Sequence, residues 1–139
     1  MYILDSDILS LFHAGNENVG QRMDAVDPAE LATSIVTKVE ILRARYAFLL
    51  NASDGEQLLR AQHWLHQSEE LLEDIEVIPF DEAAATQFDA LRNKKQLKKV
   101  GRADLLISSI ALAQRATLVT RNLKDFQQVP NLKLENWAD

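Results

Sequence analysis

The 139 residues contain no cysteine, which rules out disulfides and thiolate metal sites and fits a reducing cytoplasm. Glycine and proline are scarce, at four and three residues, so there is no flexible linker and few breaks in regular structure are expected. No apolar run is long enough to cross a bilayer, and no membrane association is expected. A signal peptide is lacking as well: Tyr2-Ile3-Leu4 is far too short, and Asp5 and Asp7 follow at once. P-loop, G-x-S-x-G and G-x-G-x-x-G patterns are all missing, which removes the commonest NTPase, hydrolase and dinucleotide-binding readings. What remains is ordinary globular composition, 47% hydrophobic and 26% charged, at a length that suits one compact domain over residues 1–139.

A formal net charge of −6 argues at first against a nucleic-acid partner. The charge is polarised, however. Between residues 92 and 102 the chain reads RNKKQLKKVGR, with the six cations Arg92, Lys94, Lys95, Lys98, Lys99 and Arg102 and no acid, which leaves −12 on the remainder. Such a stripe on an acidic body could track a phosphate backbone beside a carboxylate pocket. It also fits a solvated helix end, where lysines complement the negative pole of the dipole.

Hydrophobic periodicity predicts strands at Tyr2–Leu4, Leu31–Ile35, Ile75–Phe80 and Thr117–Thr120, with a short fifth at Lys133–Leu134. Between them fall helical patterns. One or two helices run from about Ile8 to Val26, broken near Gly15 and Gly20. Val39, Leu42, Tyr46 and Leu49 form one helical face, and Leu58, Ala61, Leu65 and Leu72 another, with a turn at residues 51–55. Asp81 caps a helix whose inner face is Ala84, Phe88 and Leu91, and residues 103–115 form another after Gly101. Strands alternating with helices imply a three-layer α/β/α sandwich around a mainly parallel sheet of four to five strands.

In such a fold the strand-to-helix turns collect at the carboxyl edge of the sheet, where ligand sites usually lie. Asp5 ends the first strand, Glu40 falls in the first turn after the second, Asp104 opens the helix after Gly101, and Asn122 and Asp125 follow the fourth. Carboxylates gathered there resist ionisation unless a cation joins them. An all-oxygen donor set suits Mg²⁺ or Mn²⁺, and such an ion promotes hydrolysis of a phosphate ester. Each acid also has a structural reading. Asp5 or Asp7 could cap the first helix, Thr37-Lys38-Val39-Glu40 fits a capping box, Asp104 complements a helix dipole, and Asp125 could hold a turn. His63 and His66, at i and i+3 without a third ligand, read as surface residues.

The motifs together resemble a known family. Ile3-Leu4-Asp5-Ser6-Asp7-Ile8-Leu9 is similar to the opening of PIN-domain ribonucleases, and Thr37-Lys38-Val39-Glu40-Ile41 to their second motif. The stretches Gly101–Ile107, Leu118–Asn122 and Asp125-Phe126 resemble the third and fourth, and residues 129–137 resemble the tail of the VapC-like toxins. The resemblance spans Tyr2 to Trp137. It implies Mg²⁺- or Mn²⁺-dependent endonucleolytic cleavage of RNA, with Asp5, Glu40 and Asp104 as the acidic triad and Asp5 and Asp104 nearest the metal. Ser6 would support the site, with Thr120 beside it. Asp7 stands where the family usually has Asn. Asn122 stands where some members carry a fourth acid, and Asp125 occupies a place that others use. A homodimer, and inhibition by a small antitoxin of a toxin–antitoxin pair, are implied in the same way.

Two rival readings differ in chemistry. Asp5-Ser6-Asp7 is a D-x-D after a strand, as in haloacid-dehalogenase-like phosphatases, with Asp5 the nucleophile and Asp7 the acid–base. Alternatively the chain is a binding module, either receiver-like or a PIN fold without catalysis. A receiver needs a lysine after a late strand, where Arg121 and Lys124 are the nearest cations.

Overall fold

The computed structural model describes residues 1–139. In chain order the elements are β1 (Tyr2–Leu4), α1 (Ser6–His13), α2 (Glu17–Asp24), β2 (Leu31–Ser34), α3 (Ile35–Leu50), α4 (Gly55–Asp74), β3 (Glu76–Ile78), α5 (Glu82–Arg92), α6 (Arg102–Gln114), β4 (Thr117–Val119), α7 (Leu123–Phe126) and β5 (Lys133–Glu135). Short 3-10 turns precede β2 and follow α5. The five strands form one sheet in the order β3-β2-β1-β4-β5, and every pairing is parallel. The expected α/β sandwich is observed.

Strands only three or four residues long hold because both faces of the sheet are covered. Side chains alternate across it. Ile3, Ala32, Ile78 and Leu118 face a cluster with Ala84 of α5, Ile107, Ile110 and Ala111 of α6, and Phe126 of α7. Their neighbours Leu4 and Val119 face the opposite side, against Ile8 and Leu9 of α1, Val19 of α2 and Trp137. Five helices begin at a side-chain cap: Asp5, Asn16, Ser34, Asp54 and Asp81 each accept a hydrogen bond from a first-turn N–H. Helix α6 begins at Gly101 and has no such cap. It ends at Arg115, in the left-handed conformation at φ 53°, where glycine is the unstrained choice and any other residue costs about 1 kcal/mol.

Several expectations are corrected. Gly15, at φ 82°, does separate α1 from α2, but Gly20 lies inside α2. Helix α3 starts at Ile35, because the Ser34 hydroxyl accepts from the Thr37 N–H at 3.0 Å and ends β2 one residue early. Glu40 therefore sits in the second turn and caps nothing, which removes the capping-box reading. The face expected from Val39 and Tyr46 is 55% and 45% exposed. Ile35, Val36 and Ile41 pack on the sheet instead, while the distal half of α3 lies against α4 through Phe48 and Trp64, with ring centroids 5.1 Å apart. Leu58 of α4 is likewise 45% exposed. The run from residue 92 to 102 is not a helix end beyond Arg92. It is a connector anchored by buried Leu97 and Val100, with Lys94, Lys95, Lys98 and Lys99 exposed.

Candidate active site

The strand order places the site. Connections from β1 run outward to β2 and β3, and the connection from β4 runs the other way to β5, so β1 and β4 flank the switch point. Crevices that bind ligands open there, beyond the carboxyl ends of the strands. Asp5 follows β1 and Thr120 follows β4. They meet across the switch point, where the Thr120 hydroxyl donates to Asp5 Oδ2 at 2.8 Å. Asp5 Oδ1 accepts from the Ser6 N–H at 2.8 Å, and the Asp5 N–H donates to the Val119 carbonyl. Thr120 is fixed in turn, because its N–H donates to the Glu135 carbonyl of β5 and its hydroxyl accepts from the Asn122 N–H at 3.0 Å.

Asp5 is 8% exposed. Burial pushes its pKa up to about 6, the charge of Asp7 adds to the rise, the hydrogen bonds from Thr120 and Ser6 oppose it, and Asp104 raises it further. Glu40 on α3 is raised by burial and then by Asp104. Asp104, in the first turn of α6, is raised by burial and then by Asp125. These causes trace one connected group, with Asp104 at its centre and Asp5, Glu40 and Asp125 around it. The Glu40 and Asp104 carboxylates accept no side-chain or capping hydrogen bond, and no lysine or arginine pairs with either. Asp125 accepts from the Asn122 side-chain amide at 3.0 Å, so these two residues act as a pair.

Beside the acids, α1 and α3 border a shallow groove of about 270 Å³ lined by Ser6, Ser10, Glu40 and Arg45. Arg45 is a residue that sequence reasoning missed. Its guanidinium is fixed by a hydrogen bond to Ser68 at 3.0 Å and by the Trp64 ring at 5.7 Å, both on α4. The only signal in the sequence is its place on the same helix, about a turn and a half beyond Glu40. Asp7 is turned away from chemistry: its oxygens accept from the Ile8 and Arg121 N–H groups at 2.7 and 3.0 Å. A carboxylate used this way, tying α1 to the turn after β4, is poorly placed to act as the acid–base of a phosphatase. Arg121 reaches Asp139 at 3.6 Å, which does not match the lysine of a receiver. His66 pairs with Glu70 on the exposed face of α4.

Thr120→Val tests the coupling across the switch point. The variant should raise the Asp5 pKa above about 6, because a hydrogen bond to the charged form is removed. Carboxyl-carbon NMR titration reads this directly, and an unmoved Asp5 would show that Thr120 does not hold it.

The class of protein that these features define is a small α/β fold with a fully parallel five-stranded sheet and acidic side chains beyond the carboxyl ends of the strands at its switch point. The PIN domain family model matches residues 2–132, and the chain belongs to that family. It is 27% identical over 142 residues to a protein named Ribonuclease VapC1 of Haemophilus influenzae, covering 99% of this chain and 98% of that one. To Ribonuclease VapC2 of Rickettsia felis it is 44% identical over 68 residues, 48% of this chain and 51% of the relative. Among solved structures, VapBC-1 from nontypeable Haemophilus influenzae superposes with a TM-score of 0.81 at 25% identity, covering 99% of this chain and 98% of that one. No helix is long and apolar enough to cross a membrane.

Proposed function

We propose that this protein is a metal-dependent endoribonuclease that hydrolyses RNA phosphodiester bonds and acts, in the cytoplasm, as the toxin of a toxin–antitoxin pair. The observation that supports the reading best is the electrostatic coupling of Asp5 and of Glu40 to Asp104 at the carboxyl edge of a PIN fold, with no protein cation ion-paired to any of the three. Family membership and the ribonuclease names of the relatives support it.

The donor set fits Mg²⁺ or Mn²⁺. It consists of oxygen alone, and burial first, then the neighbouring acids, raises the pKa of Asp5, Glu40 and Asp104. No group of three or more acids or histidines stands close enough to hold a metal ion by itself, so binding would rest on one or two carboxylates and on water, as Mg²⁺ sites commonly do. Asp5 and Asp104 would hold it, with Glu40 and Asp125 beside them. A divalent cation bound there would stabilise charge on a phosphoryl oxygen and lower the pKa of an attacking water. The chain supplies the rest. Ser6 and Thr120 orient Asp5, and Glu40, free of hydrogen bonds, is available to accept a proton from water. Arg45 offers a fixed positive charge in the adjoining groove, and the stripe from Arg92 to Arg102 tracks the RNA backbone.

The toxin role calls for a small antitoxin. The solved VapBC-1 assembly supports one, and the exposed apolar residues of α3 and α4, among them Tyr46, Leu50 and Leu59, offer area for protein contact, including a homodimer.

The test is cleavage of a mixed RNA pool by the purified protein with Mn²⁺, with Mg²⁺ and with EDTA, beside Asp104→Asn. Cutting should require the metal. The variant should lose more than the roughly 10–100-fold typical of groups that only support a ligand. Undiminished cutting by the variant, or in EDTA, would sink the assignment.

A further inference from the structure

At the opposite, amino edge of the sheet, a hollow of about 450 Å³ opens between the C-terminal ends of α5 and α6 and the start of β5. Its rim carries three cations, Lys94, Arg115 and Lys133, together with the amides of Gln87 and Asn131. Its floor is apolar, with Leu91 and Leu112, and no acid lines it. In a chain where 21 acids outnumber 15 bases, an acid-free hollow with three cations runs against composition. None of the three forms an ion pair within the chain, and all are exposed.

The backbone singles out the same place. Arg115 and Asn131, at φ 53° and 66°, are the only non-glycine residues with positive φ, and both stand on this rim. Arg115 holds a left-handed position that glycine would fill without strain.

The hollow is also joined to the acid edge. Helix α5 ends at the amino edge, and the connector after it must climb back for α6 to begin near the acids. The stripe follows that climb. Lys94 lies on the rim of the hollow, Lys95, Lys98 and Lys99 continue, and Arg102 opens α6 two residues before Asp104. The path is about the length of the 13-residue α6, roughly 20 Å at 1.5 Å per residue, which a single strand spans in a few nucleotides.

We propose that this hollow is a nucleotide subsite, filled by one nucleotide of an RNA strand that lies along the stripe with its scissile bond at the acid edge. The cations meet the phosphate. The apolar floor and the face of the Arg115 guanidinium take the base, and the Gln87 and Asn131 amides provide donors and acceptors for its edge. The volume lies within the usual range for small-molecule pockets. A free nucleotide has the same chemistry. The choice of the strand rests on the ribonuclease reading, because only a substrate has reason to span both edges.

Binding is measured in EDTA, so that it does not depend on cleavage. The probes are a labelled single-stranded oligoribonucleotide of about 12 nucleotides and adenosine or uridine monophosphate, the latter followed by NMR shifts of the amides near Arg115 and Asn131. Against wild type, Arg115→Gln/Lys133→Gln should bind the oligonucleotide several-fold more weakly, with a salt slope shallower by about 0.7 for each phosphate that is no longer neutralised. Arg115→Gly separates binding from structure, since it should raise the Tm by removing strain and still weaken RNA binding. If mononucleotides shift these amides in wild type but not in the double variant, while RNA affinity is unchanged, the nucleotide site stands and its occupant is the free nucleotide. Unchanged affinity and slope with no mononucleotide shifts overturn the proposal. Absence of metal-dependent cleavage by wild type would instead remove the ribonuclease reading, and the EDTA comparison would still report on the hollow.

Discussion

Asp5→Asn is expected to abolish cleavage and, in the same molecule, to make the metal-free protein more stable at neutral pH. Asp5 is 8% exposed, and its pKa is raised from 3.8 to about 6, chiefly by burial. An acid whose pKa rises on folding stabilises the fold fully below its unfolded value, and that contribution is lost as the pH rises through the folded one. Below about pH 4 the Asp5 carboxyl is thus no burden, and above about pH 6 the buried charge opposes folding by about 2–3 kcal/mol. Asparagine keeps the volume and has no charge to bury. Its oxygen can accept from the Ser6 N–H and its amide can donate to the Thr120 hydroxyl, replacing both hydrogen bonds of the carboxylate. Thermal unfolding in EDTA at pH 7.5 should show the variant several degrees more stable, with the gap narrowing toward pH 4.5. Mn²⁺ should then raise the Tm of wild type and leave the variant unmoved, because only the wild-type site gains a ligand. A gap independent of pH would mean that Asp5 is not the strained carboxylate described.

Trp137→Ala should cost about 3–5 kcal/mol, a large part of the 5–15 kcal/mol that holds a typical domain folded. Trp137 is 2% exposed. Its ring lies 5.2 Å from that of Tyr2 and 5.3 Å from the Arg22 guanidinium, and its indole N–H donates to Glu135 at 3.0 Å. Truncation opens a cavity beneath the first strand and orphans that side of β5. Because the Glu135 carbonyl holds the Thr120 N–H, the damage should reach Asp5 and lower activity even in the molecules that remain folded. Urea unfolding reads the stability, and a change below about 1 kcal/mol would show that the tail is not integral to the core.

The acids were legible in the sequence because strand ends are legible. A short apolar run ending in Asp5, and another ending just before Thr120, locate the carboxyl edge, and the parallel topology does the rest. The limits of the elements were less clear where one hydroxyl decides them. Ser34 as a cap advances α3 by three residues relative to a cap at Thr37, enough to take Glu40 out of the first turn. The α3 face was misjudged because a periodic apolar pattern does not say what it will meet, and here half of it meets α4 and solvent rather than the sheet. The Asp7 tether to the Arg121 N–H and the fixing of Arg45 by Ser68 and Trp64 of α4 join segments whose meeting no local pattern encodes. The hollow at the amino edge left no trace either, since Lys94, Arg115 and Lys133 are scattered over some forty residues and only Lys94 belongs to the visible stripe.

The hydrogen bond between Asp5 and Thr120 joins residues 115 apart in sequence. Closing a loop of that span costs conformational entropy that a local contact does not. On a ribosome Asp5 emerges long before the partner that orients it and before the β5 carbonyl that orients the partner. Until those residues have emerged, a nascent chain carries an unfinished set of acids. The acid edge is thereby kept from its finished form while the chain is still tethered to the RNA that encodes it.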